Sequence, residues 1–380
     1  MIFNRIPTER INWVTSSFLI GTLVLSLTAV PAYIWAFGIN WFQVVLFVVM
    51  FYATGMSITL GYHRLFSHLT FQAKWPVKLL TLLFGAAAFE NSVLMWASEH
   101  RNHHKHVDHD DDPYAISKGF FFAHIGWLLF KLNSDEPYDN VSDLQKDKLV
   151  VWQDKYVQWI AVSVGFIFPA LLGWLYQGGW VGALGGFLFG GVARVVAVQH
   201  CTFFINSACH TFGTQPYSER CSARDSTFMA FFTFGEGYHN YHHEFQHDYR
   251  NGVKDWQWDP TKWAIWLMQK CGLASNLRRV PSEKIILAQI VEAQRQLEAK
   301  LAMSSITLPQ STRTLLQASL DYLQELNTRW AAQRREYAKM TEQTLESSRE
   351  KMGELREDLK MALAHLKFVR TIEAALSAEV

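Results

Sequence analysis

Charged residues are missing from two long blocks: no Asp, Glu, Lys or Arg occurs from Ile11 to Tyr62, nor from Val157 to Ala193. A soluble domain needs charge on its wetted surface, so these blocks read as membrane segments. About 20 residues cross a bilayer core, so each block predicts a helical hairpin rather than a single span. The breaks fall at Phe37–Asn40 (FGIN) and Tyr176–Gly179 (YQGG), giving predicted spans over about 11–37, 41–62, 157–176 and 180–205. Trp13, Trp35, Trp41, Trp159, Trp174 and Trp180 fall near span ends, as an interfacial aromatic belt requires. Beyond Val280 the pattern changes: residues 281–380 contain one glycine, Gly353, and are dominated by Glu, Lys, Arg, Leu and Ala. Leu316, Leu323, Trp330 and Tyr337 step by seven, and Leu345, Met352, Leu359 and Leu366 resume the step after a slip of one. The expected organisation is a membrane domain over 1–280 and a helical extension over 281–380. The extension either packs on itself or on the membrane domain, or self-associates as a coiled coil through 310–370.

Composition agrees with this pattern. The 380 residues are 49% hydrophobic, with 27 Phe and 15 Trp, more than a soluble core of this length uses. Arg5 and Arg10 precede the first span, the hairpin turns carry no Lys or Arg, and nearly all remaining cations lie in the central and C-terminal stretches. The positive-inside rule then places both termini and the central segment in the cytoplasm. A cleaved leader is the competing reading of the N-terminus, but its apolar core would stop after about 7–15 residues, whereas this one runs into a second span. Cys201, Cys209, Cys221 and Cys271 show no CxxC spacing and imply no disulfide framework. The net charge of +1 gives no electrostatic footprint for nucleic acid.

The candidate chemistry lies in the histidines. The stretch SEHRNHHKHVD (residues 98–108) holds His100, His103 and His104, which a helix would project within an arc of about 100°. HRLFSH supplies His63 and His68 where the first hairpin ends, and GEGYHNYHH repeats the spacing with His239, His242 and His243. NSACH places Asn206 and His210 at the end of the fourth span. These nine histidines and one asparagine fall on one side of the membrane, and nine imidazoles exceed what one ion takes. Two metals sharing them would keep positions open for water or dioxygen. Neutral imidazole suits Fe, Zn, Cu or Ni, so ligand type alone does not select the metal.

With these motifs in view, the chain resembles membrane fatty acyl desaturases of the stearoyl-CoA (delta-9) type. The boxes H-x4-H, H-x2-H-H and H-x2-H-H occur in the family's order around two hairpins. GYHRLFSH, HRNHHKHVD, KGFFFAHIGWLL and GEGYHNYHH extend the likeness beyond the histidines, from about Trp13 to about Arg279. The resemblance implies an all-α integral membrane fold of four transmembrane helices in two hairpins, with a cytoplasmic helical cap over a di-iron site. It implies His63, His68, His100, His103, His104, His210, His239, His242 and His243 as ligands, with Asn206 acting through a water. It implies O2 as co-substrate, a fatty acyl substrate carried as acyl-CoA or acyl-lipid, and a cis double bond as product. A hydroxylase on the same scaffold is the alternative enzyme, and a membrane scaffold or metal sensor working through the C-terminal helix is the alternative of another class.

The same resemblance marks Trp96 and Phe203 along a substrate tunnel, with Asn91 and Lys131 beside it, and Phe47 and Phe51, about three to four helical turns before His63, are placed to close its far end. Ser98 stands where animal members carry arginine, and Leu132 follows Lys131 where they carry a basic pair, so fixed cations for a CoA head group are fewer. The stretch DPYAISKGF resembles bacterial members, which points to a bacterial plasma membrane. No haem-binding HPGG stretch occurs, so the expected electron donor is a separate protein, of ferredoxin or cytochrome b5 type with its reductase. Glu99, Asp108 and Glu236 are candidates to orient ligand imidazoles. His106, His109, His124, His200, His247 and His365 fall outside the boxes and read as polar surface or support. Arg194, a lone charge near the end of the fourth span, reads as snorkelling to the surface or as meeting a substrate or buried carboxylate.

Overall fold

The structure, a computed structural model, describes residues 8–130 and 138–303 and isolated positions beyond 309. Arg5, Lys131, Leu132, His365 and the heptad positions from Leu316 to Leu366 lie outside the described residues.

Four helices among the described residues are long and apolar enough to cross a membrane: α1 (Trp13–Phe37), α2 (Trp41–Ser67), α5 (Lys148–Gln177) and α6 (Gly179–His210). Between α2 and α5 lie α3 (Trp75–Ala86) and α4 (Val93–His106). After α6 come α7 (Thr227–Phe232), α8 (His239–Glu244), α9 (Pro260–Lys270) and α10 (Ser282–Met303). A two-stranded ribbon, Gln72–Ala73 against Ala274–Ser275, is the one named sheet among the described residues. The chain is thus a helical membrane protein in which two hairpins carry a His-rich cap.

Local chemistry explains the hairpins. The side chain of Asn12 accepts from the Thr15 amide at the start of α1, and Asn40 and Gln43 form a reciprocal capping box at the start of α2. Between them Gly38 turns at φ 74°, where a side chain would be strained. In the second hairpin Gly178 (φ 74°) and Gly179 (φ 60°) make the same reversal. The two legs then run in backbone contact, because a Cβ on Gly173 would strike the Gly182 carbonyl and one on Gly186 the Pro169 carbonyl. In lipid such small-residue faces replace the hydrophobic drive that water supplies elsewhere. Trp35 and Trp41, 91% and 82% exposed, flank the first turn as interfacial anchors.

Three spanning helices are not α-helical throughout. Segments Ser57–Ser67, Ser163–Ile167 and Phe187–Ala193 are π-helical. Such wide turns recur at functional sites. The last two present carbonyls inward, and Arg194, fully buried, takes them up. Its Nε donates to Gly190 O (2.9 Å), Nη1 to Ala87 O (2.5 Å) and Nη2 to Gly165 O (2.8 Å). Arg194 therefore neither snorkels nor meets a carboxylate. It ties α5, α6 and the α3–α4 loop together through backbone oxygens.

The helices outlast the charge-free blocks: α2 continues to Ser67, and α5 begins at Lys148. Charges at those ends are satisfied in the cap, as where Lys78 Nζ meets Asp147 Oδ2 at 2.7 Å. Around them packs the main buried core, including Ile58, Tyr62, Phe66, Leu82, Val93, Leu94, Val150, Val198 and Ile265.

The chain divides into two compact units, residues 1–214 with 221–279, and residues 215–220 with 280–380. In the second, Arg295 on α10 pairs with Glu292 and with Glu219, and Gln296 donates to the Gln215 carbonyl at 2.8 Å.

Candidate metal centre

The first box occupies the π-helical end of α2. Five residues on an α-helix turn through about 500°, leaving positions 63 and 68 on different faces, whereas a π-helix bonds residue i to i+5. The His68 amide accordingly donates to the His63 carbonyl at 3.0 Å, and the two rings meet edge to face at 4.7 Å. α4 carries His100, His103 and His104, α8 carries His239, His242 and His243, and a 3-10 turn, Ala208–His210, closes α6 with His210.

These elements bring all nine histidines together in two groups. His63, His68, His100, His104 and His242 form one, and His103, His210, His239 and His243 the other, with the ligand atoms of each group within 4.8 Å of one another. Inward nitrogens nearly touch: Nε2 of His68 and His100 are 2.8 Å apart, of His104 and His242 3.0 Å, of His63 and His242 3.1 Å, and of His210 and His239 3.1 Å. The i, i+3, i+4 spacing thus serves both groups. On α4, His100 and His104 join one and His103 the other; on α8, His239 and His243 join one and His242 the other. Asn206 is half-buried in the last turn of α6, one turn before His210.

Four of the outward nitrogens lie close to protein oxygen. His63 Nδ1 lies 2.9 Å from Glu236 Oε2, His103 Nδ1 2.9 Å from Asp112 Oδ1, His210 Nδ1 2.7 Å from Ser222 Oγ, and His100 Nδ1 3.3 Å from Tyr114 Oη. Ser222 Oγ in turn lies 2.5 Å from Asp108 Oδ1. At these four rings such contacts favour the tautomer that leaves the Nε2 lone pair facing inward. Nε2 of His103 is buried with no hydrogen-bond partner among the described residues, a cost that a bound cation removes. Burial, then the neighbouring imidazoles, holds His68, His100, His104, His239, His242 and His243 well below their ordinary pKa, so they stay neutral, as ligands must be. The donor set fits two transition-metal ions.

A buried ionic layer supports the first group. Arg64 Nη2 pairs with Glu236 Oε1 (2.8 Å) and with Asp259 Oδ1 (3.0 Å), and its Nη1 donates to the Tyr249 carbonyl (2.8 Å). Burial would raise the Glu236 carboxyl, but Arg64 and His63 beside it hold it below its ordinary value. Burial likewise opposes, and the His103 bond outweighs, at Asp112. Of the carboxylates the sequence offered for this role, Glu236 contacts His63 directly and Asp108 reaches His210 through Ser222. Asp112 belongs to an acidic run with Asp108, Asp110 and Asp111 that reads in sequence either as a solvated loop or as carboxylates orienting imidazoles, and Arg64 inside a box was not singled out.

Residues 8–266 match the family profile described as fatty acid desaturase. The chain belongs to this family. It is 38% identical over 289 residues to a probable acyl-CoA desaturase of Schizosaccharomyces pombe, covering 76% of this chain and 60% of that one. It is 35% identical to an sn-1 stearoyl-lipid 9-desaturase of Anabaena variabilis (71% and 94% covered) and 32% identical to the stearoyl-CoA desaturase of Homo sapiens (75% and 79%). The chain spans about three fifths of the fission-yeast relative's length.

Within this desaturase fold the residues that the resemblance marked for the substrate side separate. Trp96 stacks on His100 (centroids 4.8 Å, 24°) and meets His63 at 6.0 Å, so it borders the metal groups. Phe47 and Phe51 stack at 6.0 Å on α2, and Phe51 also meets Phe234 at 5.2 Å. Phe203 is buried against His124 and His200, each 5.8 Å away, and these two histidines bond each other at 3.0 Å. Asn91 turns at φ 68°, and its carbonyl accepts from Tyr62 Oη at 3.4 Å. Ser98 is buried, with its Oγ 2.8 Å from Asn140 Oδ1.

Proposed function

We propose that this chain is an O2-dependent fatty acyl desaturase that places a cis double bond, at the delta-9 position, in a saturated chain carried as acyl-CoA or acyl-lipid. The observation that carries the reading is the convergence of nine imidazoles into groups of five and four. Two irons would be held by His63, His68, His100, His104 and His242 and by His103, His210, His239 and His243, with Asn206 beside the four-histidine group through a water. An unactivated methylene has no acidic proton for a side-chain base, and a bound iron pair supplies redox chemistry with O2 able to remove its hydrogens. The balance is acyl chain, O2, two electrons and two protons giving alkene and two waters.

The protein's own part is positional. The carboxylates of Glu236, Asp112 and Asp108 orient the imidazoles, directly or through Ser222. Trp96, packed on His100, would border the reacting methylenes, with Phe203, Phe47, Phe51, Asn91 and Lys131 further along the chain's path. Both termini and the cap face the cytoplasm in this reading, the membrane is a bacterial plasma membrane, and a ferredoxin or cytochrome b5 type donor with its reductase brings electrons. Coiled-coil self-association through 310–370 belongs to the same proposal.

Gas chromatography with mass spectrometry of lipids from cells expressing the chain tests it, with double bonds located by derivatisation. New monounsaturated chains are the expected product. Hydroxylated chains would establish the hydroxylase instead, and unchanged lipids from a protein loaded with iron and supplied with a donor would refute both.

A further inference from the structure

The four-histidine group takes its ligands from α4, α6 and the start of α8, and one short stretch of chain, residues 222–226, bonds to the ends of all three. Ser222 joins the first two: its Oγ meets His210 Nδ1 and Asp108 Oδ1, and its amide donates to Asp108 Oδ2 at 2.6 Å, just past the end of α4. The Arg224 amide donates to the Cys209 carbonyl at 2.7 Å. Asp225 and Thr214 exchange both backbone bonds (2.7 and 3.0 Å). Toward α8, the Ser226 amide donates to the Gly237 carbonyl at 2.8 Å, and the Asn240 side chain donates to the Ala223 carbonyl at 3.0 Å. Backbone bridges thus set Asp225 between Thr214, shortly after His210, and Tyr238, directly before His239.

The helix α8 needs such a hold. It is six residues long, well short of the roughly 12–15 at which an isolated helix becomes even marginal in water. Tyr238, at its start, makes no side-chain capping bond. The amides of Asn240 and Tyr241, second and third in the helix, are those that a capping residue ordinarily takes. Here the carboxyl of Asp225, far earlier in the chain, takes both: Oδ1 accepts from Tyr241 at 3.0 Å, and the Asn240 amide bonds the same carboxyl. α8 supplies two of the four ligands in this group but one of the five in the other, so play at its start costs the four-histidine group more. The five-histidine group has the Arg64, Glu236 and Asp259 layer beside it, and residues 222–226 are the counterpart here.

We propose that Asp225 is a positioning residue for the four-histidine group: its acceptor oxygen, at the centre of the clasp made by residues 222–226, fixes the start of α8 so that His239 and His243 meet His210 and His103. The inference rests on the two-metal reading of the site. Burial pushes the Asp225 carboxyl up to about 7, against the bonds from the Tyr241 and Asn240 amides. The oxygen, more than a full charge, is therefore what a substitution has to keep.

Hydrogen exchange of the full chain in nanodiscs, stripped of metal and read by mass spectrometry, tests the hold on α8. First-turn amides of a short helix ordinarily exchange almost freely, so the Asn240 and Tyr241 amides of wild type are expected to exchange at least about 100-fold slower than free amides. Asp225→Ala should lose roughly tenfold or more of that protection with α4 unchanged, whereas Asp225→Asn, which keeps Oδ1, should stay within about threefold of wild type. Free exchange of both amides in wild type overturns the proposal without any variant, so a misfolded Asp225→Ala does not shelter it. Metal release is the second readout. From iron-loaded protein a bipyridyl chelator should take one of two ions about 10–100-fold more readily from Asp225→Ala than from wild type, with the other ion held as before. Equal release from both proteins, or Asp225→Asn behaving as Asp225→Ala, overturns the proposal. A wild type that holds no metal would remove the two-metal reading, and with it the metal part of this role, while exchange at α8 still decides whether Asp225 fixes the helix.

Discussion

Asp112 shows how one carboxylate can serve a metal group without touching it. Its Oδ1 accepts from His103 Nδ1 and from the Tyr114 amide (3.1 Å), and its Oδ2 accepts from the Asp108 amide (3.1 Å). All three partners are donors, so an asparagine must turn its NH2 toward one of them. Asp112→Asn should weaken metal retention by the four-histidine group about 10–100-fold, with the fold intact, read by chelator competition against wild type. Unchanged retention would mean that His103 is oriented by packing alone. The histidines themselves were legible because nine of one residue type in four spaced clusters have no common bland explanation. Arg64 was not, and Asp112 only as one of an acidic run, since a single acid or base shows its importance only once burial and partners are known.

Among the elements, the hairpins were legible for a simple reason: absence of charge over dozens of residues is a signal that helix type does not blur. The π-helical turns were hidden, because hydrophobicity around a lipid-facing helix carries no strong period to distinguish five residues per bond from four. The H-x4-H spacing was the available clue. Small residues at the α5–α6 crossing also carried information that only packing brought out. Gly173 faces the Gly182 carbonyl with no room for a Cβ, so Gly173→Val should destabilise the second hairpin by roughly 1–3 kcal/mol, seen as earlier thermal unfolding in nanodiscs. Gly21 on α1, with open space around it, is the control, and Gly21→Val should cost much less. Equal effects would show that the crossing is looser than described.

For the whole molecule, orientation follows from charge placement. A cysteine at Asn40 or Gly178, in a background with Cys201, Cys209, Cys221 and Cys271 replaced by serine or alanine, is expected to react with an impermeant thiol reagent added outside intact cells. One at Asp108 should stay protected until the membrane is opened, and labelling there from outside would invert the topology. The heptad pattern beyond 310 remains a sequence expectation. Every histidine of the two groups lies before residue 244, so metal binding is expected to belong to the first compact unit.

The central claim is that nine imidazoles hold two irons rather than one structural ion, and metal analysis of the purified chain tests it most directly. Wild type is expected to contain about two irons per chain, because groups of five and four imidazole nitrogens each satisfy one ion while leaving a position open. His210→Ala, which lies outside the three boxes, should lower that content toward one while the helical fold survives on its apolar packing. One zinc per chain in wild type, or two irons retained in His210→Ala, would contradict it.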